Sequence, residues 1–219
     1  MKEYLAELIA TFALVFIGAG SVLIEPVSKS GIIGIALAHG LVLMSMIYAI
    51  GHISGAHINP AVTIGMLVTK KINLTKALIY IIFQLIGAVI GAFLLSLIFP
   101  NSLNLGTPDL AFGVSFWKGI FIEMILTFFL VFTIFGTAVD KKAPYGVYGF
   151  AIGLVLTFDI LFGGTLTGAS MNPARTFGPA LISGFWSNHL VYWIGPILGS
   201  IIAALIYDKI FLKKEHNAN

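Results

Sequence analysis

The chain has 219 residues, of which 58% are hydrophobic and 10% charged, with a mean hydropathy of +1.02. That excludes a water-soluble surface and leaves an integral membrane protein of about six crossings. One transmembrane domain over 1–219 is expected, with no room for a second soluble one. The formal charge of +3 comes from lysines at segment ends, so it reads as a topology signal and not as a nucleic-acid footprint. No cysteine is present, which excludes disulfide and thiol chemistry.

In chain order, the first apolar segment runs from Tyr4 to Ile24, carries Glu7 and is expected to break at Glu25-Pro26. It lacks a small-residue cleavage pattern, so it is expected to stay as the first crossing rather than leave as a signal peptide. Further spans fall at about Gly31 to Gly51, Lys76 to Phe99, Phe116 to Ala138, Tyr145 to Phe162 and His189 to Phe211. From Ala77 to Phe99 the third has Gln84 and Ser96 as its only strongly polar side chains. These lengths suit crossing helices, and the alternating ten-residue segments of a barrel are missing. In a six-span arrangement Lys2, Lys70, Lys71, Lys76, Lys141, Lys142, Lys209, Lys213 and Lys214 share one side, against Lys29 and Lys118 on the other. Both termini are therefore expected in the cytoplasm, with residues 213–219 as a short tail.

Between the second and third spans, and again between the fifth and sixth, lies the same tripeptide: Asn59-Pro60-Ala61 and Asn172-Pro173-Ala174. Asn is a preferred N-cap and Pro suits the first helical position, so each reads as a helix start. The helices they open, Asn59 to about Thr69 and Asn172 to about Ile182, are half the length of a crossing. The two tripeptides are 113 positions apart (172 − 59). Other matches keep nearly that offset: Glu7, Thr11 and Leu14-Val15-Phe16 against Glu123, Thr127 and Leu130-Val131-Phe132, and Gly87 and Gly91 against Gly195 and Gly199. The chain thus divides into a repeat at about 1–100 and a second at about 115–212. Three spans per copy makes the second copy inverted, so the half-helices enter from opposite faces and mark a pore or transport site.

Ser54-Gly55-Ala56-His57-Ile58-Asn59-Pro60-Ala61-Val62-Thr63 and Gly168-Ala169-Ser170-Met171-Asn172-Pro173-Ala174-Arg175 resemble the two signature loops of aquaporins, the major intrinsic protein family. The resemblance extends from about Tyr4 to Tyr207. It implies an all-α membrane fold of six transmembrane helices plus two re-entrant half-helices, one pore per monomer and a homotetramer in the lipid. It implies a passive channel for water and no enzyme, cofactor or metal.

Physical chemistry gives each motif a task. The half-helix N-termini bring about half a positive charge each to the membrane centre, which repels cations. The side-chain amides of Asn59 and Asn172 donate to passing water and break the file along which a proton would move. Non-helical backbone at membrane depth must be buried in protein or line a wet cavity. The carbonyls of Gly55, Ala56, His57, Ala169, Ser170 and Met171 are expected to form an acceptor ladder, as in the family. Glu7 and Glu123, acids within spans, need donors, and the resemblance points to loop N–H groups. His52 and His57 read as loop residues.

By the same resemblance His39, Ile160, Ala169 and Arg175 form the narrowest ring. That set is similar to the plant vacuolar-membrane members, which adds ammonia to the expected permeants. A glycerol facilitator is the alternative, disfavoured by Thr176, Ala180 and Tyr192-Trp193. A secondary transporter with inverted repeats is more remote, since it would need ligands for coupling ions. The cell membrane is the expected location. Asp159 fits none of these roles and is expected to face another helix or the outer mouth.

Overall fold

The structure is a computed structural model and describes residues 1–212; the tail at 213–219, with Lys213 and Lys214, lies outside the described residues. Eight helices follow in order: α1 Lys2–Ser28, α2 Gly31–Ser54, α3 Pro60–Val68, α4 Leu74–Ile98, α5 Phe116–Ile134, α6 Tyr148–Gly163, α7 Pro173–Ser183 and α8 Val191–Ile206. Single π-turns, Phe135–Val139 and Tyr207–Phe211, extend α5 and α8. With those extensions five helices are long and apolar enough to cross a membrane. The sixth, α6, has 16 residues, about 24 Å at 1.5 Å per residue. It starts later than Tyr145 because Gly146 sits in a left-handed turn, φ 82°.

Two sequence expectations are corrected by local backbone chemistry. Pro26 does not break α1, which continues to Ser28 and stops at left-handed Lys29, whose N–H bonds the Glu25 carbonyl. Proline there costs a single helical bond in the last turn, and the apolar surroundings hold the rest. Helix α2 runs one turn past Gly51 and ends at Gly55, φ 87°. His52 is therefore helical and not in a loop.

Packing repeats between the halves. Helix α1 lies along α4 as α5 lies along α8, and α2 meets α6 across the centre. The glycines set the closest crossings: a Cβ on Gly87 would lie 2.2 Å from the Leu8 carbonyl oxygen, and one on Gly199 2.1 Å from that of Met124. Small residues permit this approach where lipid supplies no hydrophobic drive between helices. Each half-helix packs on the other half of the chain, α3 on α8 and α7 on α4. Ser200 Oγ on α8 donates to the Ala61 carbonyl at 2.6 Å.

Candidate functional site

The two half-helices meet through their caps. Asn59 and Asn172 are extended at φ −158° and −145°, and Pro60 and Pro173 occupy the first helical positions. Asn59 Oδ1 accepts from Ala61 N at 2.8 Å; Asn172 Oδ1 accepts from Ala174 N at 3.0 Å. The amide nitrogens then cross between repeats. Asn59 Nδ2 donates to the Met171 carbonyl at 2.8 Å, and Asn172 Nδ2 donates to the Ile58 carbonyl at 2.9 Å. An amide has two N–H donors, so each Asn keeps one beyond its cap and its cross-link. Both Asn residues border the same cavity.

The loops before the caps share one backbone pattern. Ala56, Ile58, Ala169 and Met171 all have positive φ, 44° to 56°. For non-glycine residues that conformation costs of order 1–3 kcal/mol each and persists only where neighbours over-determine it. Buried carboxylates supply the hold. Glu7 Oε1 accepts from Ser54 Oγ (2.7 Å) and His57 N (2.9 Å), and its Oε2 from Ile58 N (2.7 Å) and Gln84 Nε2 (2.8 Å). Glu123 Oε1 accepts from Thr167 Oγ1 (2.7 Å) and Ser170 N (3.0 Å), and its Oε2 from Met171 N (2.7 Å). Tyr80 and Tyr192 brace the loop starts by donating to the carbonyls of Ser54 (2.8 Å) and Thr167 (2.6 Å).

Arg175 is 3% exposed. Its Nη1 donates to the Gly106 carbonyl at 2.7 Å, and Nη2 lies 3.5 Å from His39 Nε2. His39 Nδ1 is 2.9 Å from the Ile35 carbonyl, which only a donor can satisfy, so in the neutral ring Nε2 presents a lone pair to the guanidinium. The ring lies on Gly18, where a Cβ would come within 2.6 Å of it. Ile160 and Ala169 are buried. Ala169 sits beside Gly163, one turn after Ile160, where a Cβ on the glycine would be 3.3 Å from its own.

A cavity of about 410 Å³ leads away from this region. It is bordered by His39, Arg175, both Asn caps, Gly55, Ala56, His57 and Ser170, and by apolar Leu43, Ile47, Val62, Leu130, Ile152 and Leu156. Its far end meets His52, Lys71, Lys76 and Tyr148. Ile160, Ala169 and Met171 do not border it, and the Met171 carbonyl expected in the ladder is occupied by Asn59. His57 is tied down: its Nδ1 is 3.0 Å from Thr63 Oγ1 and its ring packs edge-on to Tyr80. Among the described residues no cluster of three or more metal-ligating side chains occurs.

Contributors that the sequence does not mark as site residues include the Ile58 and Gly106 carbonyls, the braces Tyr80, Thr167 and Tyr192, and Gln84. A backbone acceptor leaves no residue-type signal. Gln84 did leave one, as a polar side chain deep in an apolar span.

The model of the family described as "MIP: Major intrinsic protein" matches residues 1–207. Among similar proteins, aquaporin TIP1-2 of Zea mays is 44% identical over 220 residues, covering 96% of this chain and 86% of its own. Mouse aquaporin-4 is 42% identical over 217 residues, covering 96% and 67%. The solved aquaglyceroporin of Plasmodium falciparum superposes with a TM-score of 0.86 at 24% identity, covering 96% of each chain, which is a likeness of fold. With inverted halves, paired Asn-Pro-Ala caps and these relatives, the chain belongs to the major intrinsic protein family, the aquaporin channels.

Proposed function

We propose that this chain is a passive channel for water and ammonia that excludes ions and protons, with the two Asn caps at its centre. The observation that carries the reading is the reciprocal Asn cross-link. Each amide spends Oδ1 on its own half-helix and one N–H on the opposite loop, which leaves a second N–H on a residue that borders the shared cavity. A water there accepts from two fixed donors and turns its own hydrogens outward, away from its neighbours in the file. The positive ends of both half-helices repel cations at the same point.

His39, Ile160, Ala169 and Arg175 form the narrowest ring in this reading. Arg175 supplies a fixed charge and a donor, while Ile160 and Ala169 leave the opposite wall wide and weakly polar. Ammonia, near water in size and a poorer donor, gains from such a wall. The end of the cavity bearing Lys71 and Lys76 faces the cytoplasm, both termini lie there, the membrane is that of the cell surface, and four copies assemble as a homotetramer.

Stopped-flow measurements on proteoliposomes test this with water, ammonia and glycerol in parallel. Water and ammonia flux above empty liposomes, glycerol at background and no response to an ion gradient are expected. His39→Phe combined with Ile160→His should lower ammonia flux and leave water flux in place. Equal ammonia flux in wild type, double mutant and empty liposomes would overturn the ammonia reading. Flux that follows an ion gradient would make the chain a transporter.

A further inference from the structure

Residues 101–114 lie between the two repeats and carry the carbonyl that holds Arg175. The matching place in the first half is Val62 (175 − 113 = 62), so only the second half has a charge to hold there. The far end of the segment is fixed to that half by contacts of its own. A Cβ on Gly168 would lie 2.8 Å from that of Pro108, the Ala111 N–H donates to the Leu166 carbonyl at 2.9 Å, and Asn188 Nδ2 donates to Asp109 Oδ1 at 2.9 Å.

Beside Arg175 the backbone turns sharply. Leu105 and Gly106 are both buried and both left-handed, at φ 48° and 70°. Glycine adopts that conformation freely, whereas leucine keeps it only where its neighbours impose it. Asn104 imposes it, in the way Asn side chains bond their own backbone two residues on. Its Oδ1 accepts from Gly106 N at 3.1 Å, and its carbonyl accepts from Thr107 N at 2.9 Å and from the Thr107 hydroxyl. Ser102 Oγ accepts from Leu105 N at 3.0 Å. A trans peptide carries its N–H and C=O on opposite sides. With the Thr107 N–H turned to Asn104, the Gly106 carbonyl of the same peptide points away from it and meets Arg175 Nη1 at 2.7 Å. On its other flank Gly106 abuts α1, where a Cβ would lie 2.9 Å from the Ala19 carbonyl oxygen.

We propose that Asn104 is a positioning residue: its side chain fixes the turn at 104–107, aims the Gly106 carbonyl at Arg175, and so holds the guanidinium still. The inference rests on the reading of His39, Ile160, Ala169 and Arg175 as the narrowest ring. Without the Oδ1 acceptor the Gly106 N–H loses its bond and the turn can relax, while the contacts of Pro108, Asp109 and Ala111 keep the rest of the segment in place. Arg175 then retains only His39, at 3.5 Å, and a guanidinium held at one end moves aside often enough to pass solutes larger than water.

Glycerol-to-water permeability ratios of proteoliposomes test it in wild type, Asn104→Ala, Asn104→Asp, Arg175→Val, and Asn104→Ala combined with Arg175→Val. Asn104→Ala should raise the ratio severalfold, and Asn104→Asp, which keeps the acceptor, should retain the wild-type value. Added to Arg175→Val, Asn104→Ala should change nothing further, because no guanidinium is left to hold. An unchanged ratio in Asn104→Ala overturns the proposal. So does an equal rise in Asn104→Asp, or an equal rise in both Arg175 backgrounds, which would make the turn a structural element only. Should Asn104→Ala fail to assemble, Asn104→Ser decides, since a hydroxyl holds such turns more weakly than an amide: a raised ratio supports the proposal, and an unchanged ratio or a second failure to assemble overturns it. If Arg175→Val alone leaves the ratio unchanged, the ring reading fails by itself. Crystal structures then decide the positioning role, because Asn104→Ala should still separate Arg175 from the Gly106 carbonyl, and an intact contact overturns it.

Discussion

Arg175 answers two demands with one guanidinium. Its Nη1 fixes the Gly106 carbonyl of the loop after α4, and Nη2 approaches His39, whose ring is seated on Gly18 of α1. Replacement by Val would remove the fixed cation and leave both acceptors unpartnered. Arg175→Val is therefore expected to keep water flux while raising glycerol flux severalfold and admitting an ion leak, read by stopped-flow and bilayer currents. Unchanged glycerol flux and leak would place Arg175 outside the constriction. Ala169 supports a sharper chemical test, because the chain contains no cysteine. The native channel should be insensitive to mercurials, whereas Ala169→Cys should be blocked by them, since a thiolate at the ring gives the metal its ligand. Because Ala169 does not border the cavity that ends at Lys71, block should be faster from the side opposite the lysines. An active, fully resistant Ala169→Cys channel would move the ring away from that residue.

Among the elements, the half-helices depend on contacts that tolerate no added atom. A Cβ on Gly178 of α7 would fall 2.4 Å from the Ala88 carbonyl oxygen of α4, and a backbone atom cannot step aside as a flexible side chain can. Gly178→Val should destabilise the fold by about 1–3 kcal/mol or more, seen as a lower thermal midpoint in detergent and a poor yield of folded protein. Gly184→Ala, where nothing lies within 4 Å of the added carbon but φ is 75°, should cost less. If both variants melt alike, the tight crossing of α7 and α4 is not what seats the half-helix.

The same elements show what could be read in advance. Asn59-Pro60 and Asn172-Pro173 announce helix starts because capping is decided within three residues. The 113-residue offset likewise exposes the repeat without any contact information. The Asn cross-links join residues 112 and 114 positions apart and end on backbone carbonyls, which every residue possesses. Arg175 finds Gly106 by the same kind of bond. Helix ends depart from the local signals at Pro26 and Gly51, which the apolar setting outweighs. The π-turns after α5 and α8 carry no residue signature at all.

At the scale of the whole molecule, charge gathers at one end. Lys71 pairs with Asp208 at 2.9 Å, Lys76 with Glu3 at 2.7 Å, and Tyr207 donates to Asp140 at 3.3 Å. These contacts join the start of α1 to the first turn of α4, and the π-turn after α8 to the segments that follow α3 and α5. Partly exposed pairs of this kind contribute only about 0–1 kcal/mol each, so their consequence is electrostatic rather than structural. Lys71 and Lys76 border the cavity, each with its carboxylate partner beside it. Lysine-rich loops stay on the cytoplasmic side during insertion, which predicts a sidedness that is testable, since a chain free of cysteine accepts single reporters. Lys142→Cys, in the loop before α6, should react with a membrane-impermeant maleimide in inverted vesicles and not in intact cells. Ser187→Cys, before α8, should show the reverse. Labelling of both from one side would contradict three crossings per half, because the two positions are separated by α6 and the re-entrant α7 alone. A clean exchange of the two patterns would instead keep the fold and turn the lysine end outward.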